Sequence, residues 1–173
     1  MPTDFKTYWE AVAVDQFLRF YNREKGSRYQ VFEHQDSPDF RCVDPWDESE
    51  LKVEVTLALD AQTKDPLAWQ DVSTRTDENR DTDADTAVET VLAVLRNTIT
   101  KKFDKRYGKN CALIVYHLAL PWRWGEEIER LKTEIDYSFS PYDRGVWFVT
   151  HWDEFYCLHE GRLYRRTRVN SER

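Results

Sequence analysis

The chain has 173 residues, of which 33% are charged and 40% hydrophobic, and its formal net charge is −7. That length suits one domain with a real core, and no apolar run approaches the ~20 residues of a membrane-spanning helix. The start, Met1-Pro2-Thr3-Asp4, lacks a basic region followed by an apolar stretch, so the expectation is a cytoplasmic protein with no membrane partner.

Residues 4–24 read as a helix, because Phe5, Tyr8, Trp9, Val12, Phe17, Leu18 and Phe20 recur at roughly helical spacing and Gly26 ends the run. Two short strands follow, at 29–33 and 40–43, separated by the turn-prone Gln35-Asp36-Ser37-Pro38. After the turn at 45–50, residues 51–59 form a third strand. Residues 60–84 are polar and suggest a long excursion, and loops of that length are often functional. From Asp85 to about Tyr107 a second helix carries the stripe Val88, Val91, Leu92, Leu95, Ile99 and Phe103, with acidic residues at its positive end. Gly108 stops it. Residues 111–120 are a nearly continuous apolar strand of the kind buried on both faces. A short helix near 126–135, a strand at 146–150 and a hairpin over 155–168, turning at Glu160-Gly161, complete the chain. The fold class is therefore α/β, a central mixed sheet flanked by helices in a single domain, with the core order αβββαβ plus a C-terminal hairpin.

The charge is unevenly placed. Residues 60–87 carry seven Asp and one Glu against Lys64, Arg75 and Arg80. The C-terminal stretch supplies Arg162, Arg165, Arg166, Arg168 and Arg173 against Glu172. Overall acidity argues against a nucleic-acid partner, whose affinity rests on Lys and Arg neutralising phosphates, yet Arg165, Arg166 and Arg168 offer one phosphate-contacting edge. The acidic excursion suits a protein partner instead. Cys42, Cys111 and Cys157 contain no close pair, so neither a disulfide framework nor a CxxC metal site is indicated. His34, His117, His151 and His159 also lack partners at zinc spacing.

The chemistry concentrates at residues 38–56. Pro38-Asp39-Phe40 opens one strand, and Leu51-Lys52-Val53-Glu54-Val55-Thr56 makes the next. Mg²⁺ takes oxygen ligands and usually only one or two protein carboxylates, with water and substrate phosphate completing the shell. Strand alternation sets Val53, Val55 and Leu57 on one face and Glu54, Thr56 and Ala58 on the other, so a sheet covered on both sides half-buries Glu54 and leaves it wanting a cation.

Pro38-Asp39, followed fifteen positions later by Glu54, within a helix, three strands, helix, strand order, resembles the PD-(D/E)XK nuclease superfamily over roughly residues 5–120. The resemblance implies a restriction-endonuclease-like core, Mg²⁺ or Mn²⁺ as cofactor, Asp39 and Glu54 as metal ligands, and Glu10 as the additional acidic residue that several branches carry on the first helix. It implies hydrolysis of nucleic-acid phosphodiesters, with DNA the first expectation; nucleases that cut both strands are often dimers, but no coiled-coil heptads appear here, so the oligomeric state, homodimer included, stays open. Thr56 stands where the motif lysine should be; it can hydrogen-bond a water but supplies no positive charge. Some branches move the lysine to the following helix. At about 100° per residue, Lys102 falls within roughly 40° of Val88 on the buried stripe, whereas Lys101 points about 140° away. A charged group there is costly without a partner, so Lys102 is the candidate displaced lysine and Arg106, also aligned with the stripe, a second cation. The rival expectation is a protein that keeps this fold as a nucleic-acid-binding, protein-binding or regulatory module without catalysis.

Overall fold

The computed structural model describes residues 5–57, 80–117, 125–150 and 154–165. Their order is α1 (Phe5–Lys25), β1 (Gln30–His34), β2 (Phe40–Val43), β3 (Glu50–Leu57), α2 (Arg80–Lys102), β4 (Cys111–His117), α3 (Gly125–Glu134), a 3-10 turn (Tyr137–Phe139), β5 (Val146–Thr150), β6 (Glu154–Cys157) and β7 (Arg162–Arg165). The seven strands form one mixed sheet and lie in it in chain order. Both wings are antiparallel, whereas β3, β4 and β5 run parallel at the centre. Parallel neighbours need a crossover: α2 lies in the connection from β3 to β4, and α3 in that from β4 to β5.

The sheet separates two apolar layers. On one face Ala13, Val14, Phe17, Phe20 and Tyr21 of α1 pack with Val53, Val55, Ala112, Ile114, Tyr116 and Trp147. On the other, Leu92, Leu95 and Ile99 of α2 and Ile128 and Leu131 of α3 meet Leu113, Val115, Val146 and Phe148. Residues 111–116 are buried throughout, which explains the unbroken apolar run there: odd positions serve one layer and even positions the other. Aromatic rings fill the α1 layer, with Phe20 stacked on Phe155 at 4.3 Å and Trp147 against Phe17, Phe20 and Tyr21.

Strands β2 and β5 fall at the expected residues. The second helix differs at both ends, beginning at Arg80 rather than Asp85 and finishing at Lys102 rather than Tyr107. Asp81 and Asp83 look like loop composition, yet acidic residues suit the positive end of a helix. At the other end, the N–H groups of Phe103 and Lys105 donate to the carbonyls of Thr100 and Lys102 in tightened three-residue turns, and the chain reaches Gly108 at φ +77°. Arg106 therefore leaves the helical phase that aligned it with the stripe. Of the excursion expected over 60–84, residues 60–79 lie outside the described residues.

Among the described residues no helix is long and apolar enough to cross a membrane. Before β5, Gly145 adopts φ +98°, and an added Cβ would sit 2.7 Å from Cε1 of His159 and 2.9 Å from Nε1 of Trp147. Gly145→Ala is expected to cost about 1–2 kcal/mol through the left-handed backbone alone, read as a lower denaturant midpoint with an unchanged slope.

Candidate active site

Register decides which face the two acidic residues share. Phe40 pairs with Val53 and Arg41 with Lys52, and Phe40 and Val53 both point into the α1 layer. One step back along β2 and one forward along β3 brings Asp39 beside Glu54 with both directed to the opposite, α2 face. Asp39 is fixed there because its Oδ2 accepts from the Val55 N–H at 2.7 Å. The Gln35 N–H, donating to the Asp39 carbonyl at 2.9 Å, closes the turn that delivers it.

Glu54 is 3% exposed, and its partner comes from the end of α2. Lys102 Nζ lies 2.5 Å from Glu54 Oε1, across 48 residues of chain. Lys101 is exposed, as the helical phase requires. Three further contacts hold this corner. The Tyr142 hydroxyl donates to the Lys102 carbonyl at 3.1 Å, satisfying one of the helix-end carbonyls. Lys52 Nζ donates to the Tyr107 carbonyl at 2.8 Å, and Ser37 Oγ donates to the Tyr107 hydroxyl at 3.2 Å. Lys52, two positions before Glu54 on the same face, is thus committed to the backbone.

Negative charge outweighs positive here. Burial pushes the Asp39 carboxyl up to about 6; the Val55 N–H opposes this, Glu54 and Glu10 raise it further, and Lys102 lowers it. Burial likewise lifts the Tyr107 phenol to about 12, opposed by Ser37 and reinforced by direct interaction with the Glu54 carboxylate and then by the Glu54 and Asp39 charges. Tyr107 is therefore a neutral hydroxyl at the edge of the carboxylates. Among the described residues, Glu54 Oε2 and Glu10 Oε1 are buried carboxylate oxygens with no hydrogen-bond partner. Lys6 Nζ stands 3.2 Å from Glu10 Oε1, attractive in charge but not aligned as a hydrogen bond.

Glu10, buried on α1, belongs to the layer across the sheet. Among the described residues, Asp39, Glu54 and Glu10 do not form a group whose ligand atoms all lie within 4.8 Å of one another. The structure joins Asp39, Glu54 and Lys102, with Glu10 acting on Asp39 through charge. Thr56 stands half-buried on the Glu54 face of β3.

Arg106 is not drawn in: exposed beyond the helix end, its Nη1 donates to the carbonyls of Phe103 at 2.8 Å and Lys105 at 3.1 Å. Arg165 ends β7, while Arg166 and Arg168 lie outside the described residues. Sequence reasoning missed Lys52, Tyr107 and Tyr142. Period two alone could have flagged Lys52, while the tyrosines arrive from separate loops and left no local signal.

No family model matches the chain, and neither a curated protein nor a solved structure matches it.

Proposed function

We propose that this chain is a divalent-metal-dependent nuclease, hydrolysing phosphodiester bonds of nucleic acid, DNA first, on a restriction-endonuclease-like core. The observation that carries the reading is the union of Asp39 and Glu54 on one sheet face with a lysine returned from the next helix. The element order α1-β1-β2-β3-α2-β4 supports it.

The residues suit a hard cation. A buried carboxylate oxygen without a partner is costly, and Glu54 Oε2 is one; Asp39 uses Oδ2 on the backbone. Asp39 and Glu54 would hold Mg²⁺ or Mn²⁺, with Glu10 adding negative charge nearby. Bound there, the ion supplies a water of lowered pKa and a clamp on the phosphate oxygens. Lys102 pairs with Glu54 and sets a positive charge where the phosphate oxygens gain negative charge. Thr56 hydrogen-bonds the water shell, and Tyr107 offers a neutral donor.

The pH dependence has a definite sign. Asp39 must be ionised to act as a ligand, and its carboxyl titrates near about 6, so ion affinity and cleavage rise as pH climbs through that value and level off above it. Cleavage of supercoiled and single-stranded DNA, and of RNA, with Mg²⁺ or Mn²⁺ across this range checks the reading. Absence of both ion-dependent cleavage and Mn²⁺ binding would overturn it.

A second reading, a binding or regulatory module without catalysis, is favoured by Lys102 already occupying Glu54 Oε1 and by Glu10 standing apart from the pair. On that reading the ion pair is structural, and a protein partner docks through the acidic excursion. Deleting residues 60–79 would then abolish partner capture and leave Mn²⁺ binding absent.

A further inference from the structure

On the opposite wing of the sheet, the turn between β6 and β7 gathers three side chains of different chemistry. Ligand atoms from the Cys157 thiol, the His159 imidazole and the Glu160 carboxylate all lie within 4.8 Å of one another. Cys157 Sγ is 3.2 Å from His159 Nδ1, and His159 Nε2 is 3.8 Å from Glu160 Oε1. The arrangement has its own supports. Glu160 Oε2 accepts from the Tyr164 hydroxyl at 3.0 Å, leaving Oε1 on the histidine side. The imidazole occupies the space over Gly145 that any side chain there would need.

Cys157 is fully buried, whereas His159 and Glu160 are exposed. Both exposed residues line a cavity of about 380 Å³, together with Lys25, Tyr29, Arg144 and Trp147. We propose that Cys157, His159 and Glu160 bind Zn²⁺, as a three-ligand site whose fourth position opens into this cavity.

The donor set selects the metal. A thiolate with an imidazole suits zinc, whereas Mg²⁺ and Ca²⁺ take oxygen. Three protein ligands with an open position is the zinc arrangement that leaves room for water or a ligand. Zinc bonds of ~2.0–2.3 Å place tetrahedral ligand atoms roughly 3.3–3.8 Å apart, so from separations within 4.8 Å closure requires a contraction of about 1.5 Å at most. Rotation of the two exposed side chains supplies it. The Tyr164 hydroxyl on Glu160 plays the outer-shell part that orients a ligating carboxylate. Burial pushes the Cys157 thiol up to about 12, which makes it a poor nucleophile on its own; metal binding expels the thiol proton. The site stands apart from Asp39 and Glu54 and does not depend on the nuclease reading.

Co²⁺ is the probe, added to the full chain after removal of metals with a chelator. The expected result is one thiolate-ligated Co²⁺ per chain, counted from a near-ultraviolet thiolate-to-cobalt charge-transfer band that appears with visible ligand-field bands and is erased by Zn²⁺. The charge-transfer band should vanish in Cys157→Ser and persist in Cys42→Ser, Cys111→Ser and Asp39→Asn. Because Cys157 is buried, the exposed His159→Ala variant provides the folding-safe arm, with Zn²⁺ affinity expected to fall by at least the ~10–100-fold that loss of an outer-shell partner alone costs. A wild-type chain without the band, a band that survives Cys157→Ser, or unchanged affinity in His159→Ala would each overturn the proposal.

Discussion

Asp39→Asn should make the protein more stable at neutral pH while reducing cleavage by on the order of 10²-fold or more. The ordinary carboxyl value is 3.8, and burial together with Glu54 and Glu10 lifts Asp39 to about 6. The folded chain therefore holds this proton more tightly than the unfolded chain. Ionised Asp39 costs stability in full above about pH 6, the cost shrinks as pH falls through that value, and it is gone below the unfolded value. Asparagine is neutral at every pH, and its side-chain oxygen can still accept from the Val55 N–H. Because the carboxylate retains some solvent, the gain is discounted to about 1–2 kcal/mol, or roughly 2–8 °C in Tm for a chain of this size. The advantage should fade on acidification. Mg²⁺ should reverse the ranking: a ligand that binds only the native state adds about 2.7 kcal/mol at a hundredfold excess over Kd, and only the wild type would collect it. Melting curves at two pH values, with and without Mg²⁺, decide the matter. If Asp39→Asn is less stable at neutral pH, the carboxylate is a structural acceptor and the charge-conflict account fails.

How far this corner was legible in the chain depends on the range of each signal. Helical phase separated Lys102 from Lys101 because α2 is regular to its last turn, and strand alternation gave Glu54 a buried face without knowledge of its neighbours. The same phase misled at Arg106, where Phe103 and Lys105 tighten the backbone and end the helix. Composition misled over residues 80–84, since aspartates serve a loop and a helix start equally well. The order of the seven strands, which places β3 between an antiparallel and a parallel neighbour, is a property of the assembled sheet and has no local mark. Tyr142 reaches the Lys102 carbonyl from 40 residues away, a contact that no spacing rule encodes. Cys157, His159 and Glu160 were within four positions of one another all along. Metal-spacing patterns passed over them because they contain one cysteine and one histidine, and only the turn geometry shows that their ligand atoms meet.

Lys102→Met separates structural support from catalysis. Glu54 is 4% exposed at its side chain and Lys102 25%, so removing the ammonium leaves a buried carboxylate unpaired. Breaking such a pair costs about 3 kcal/mol, or roughly 6–12 °C in Tm. Pairing the change with Glu54→Gln should recover most of that loss, because no buried charge remains; the two substitutions then couple strongly in a double-mutant cycle. Cleavage should not recover. Metal affinity sharpens the point, since Lys102 and a divalent ion compete for the same carboxylate. Lys102→Met should bind Mn²⁺ more tightly than wild type, by paramagnetic resonance titration, while cleaving on the order of 10²-fold more slowly. Tighter binding with slower turnover would mean that the ammonium acts on the reacting phosphate rather than by holding the ligand. Weaker binding would make Lys102 a support for Glu54 alone. No Mn²⁺ binding in either protein would leave the pair a structural ion bridge and favour the non-catalytic module, because a site poised for a metal should gain affinity when its internal competitor is removed.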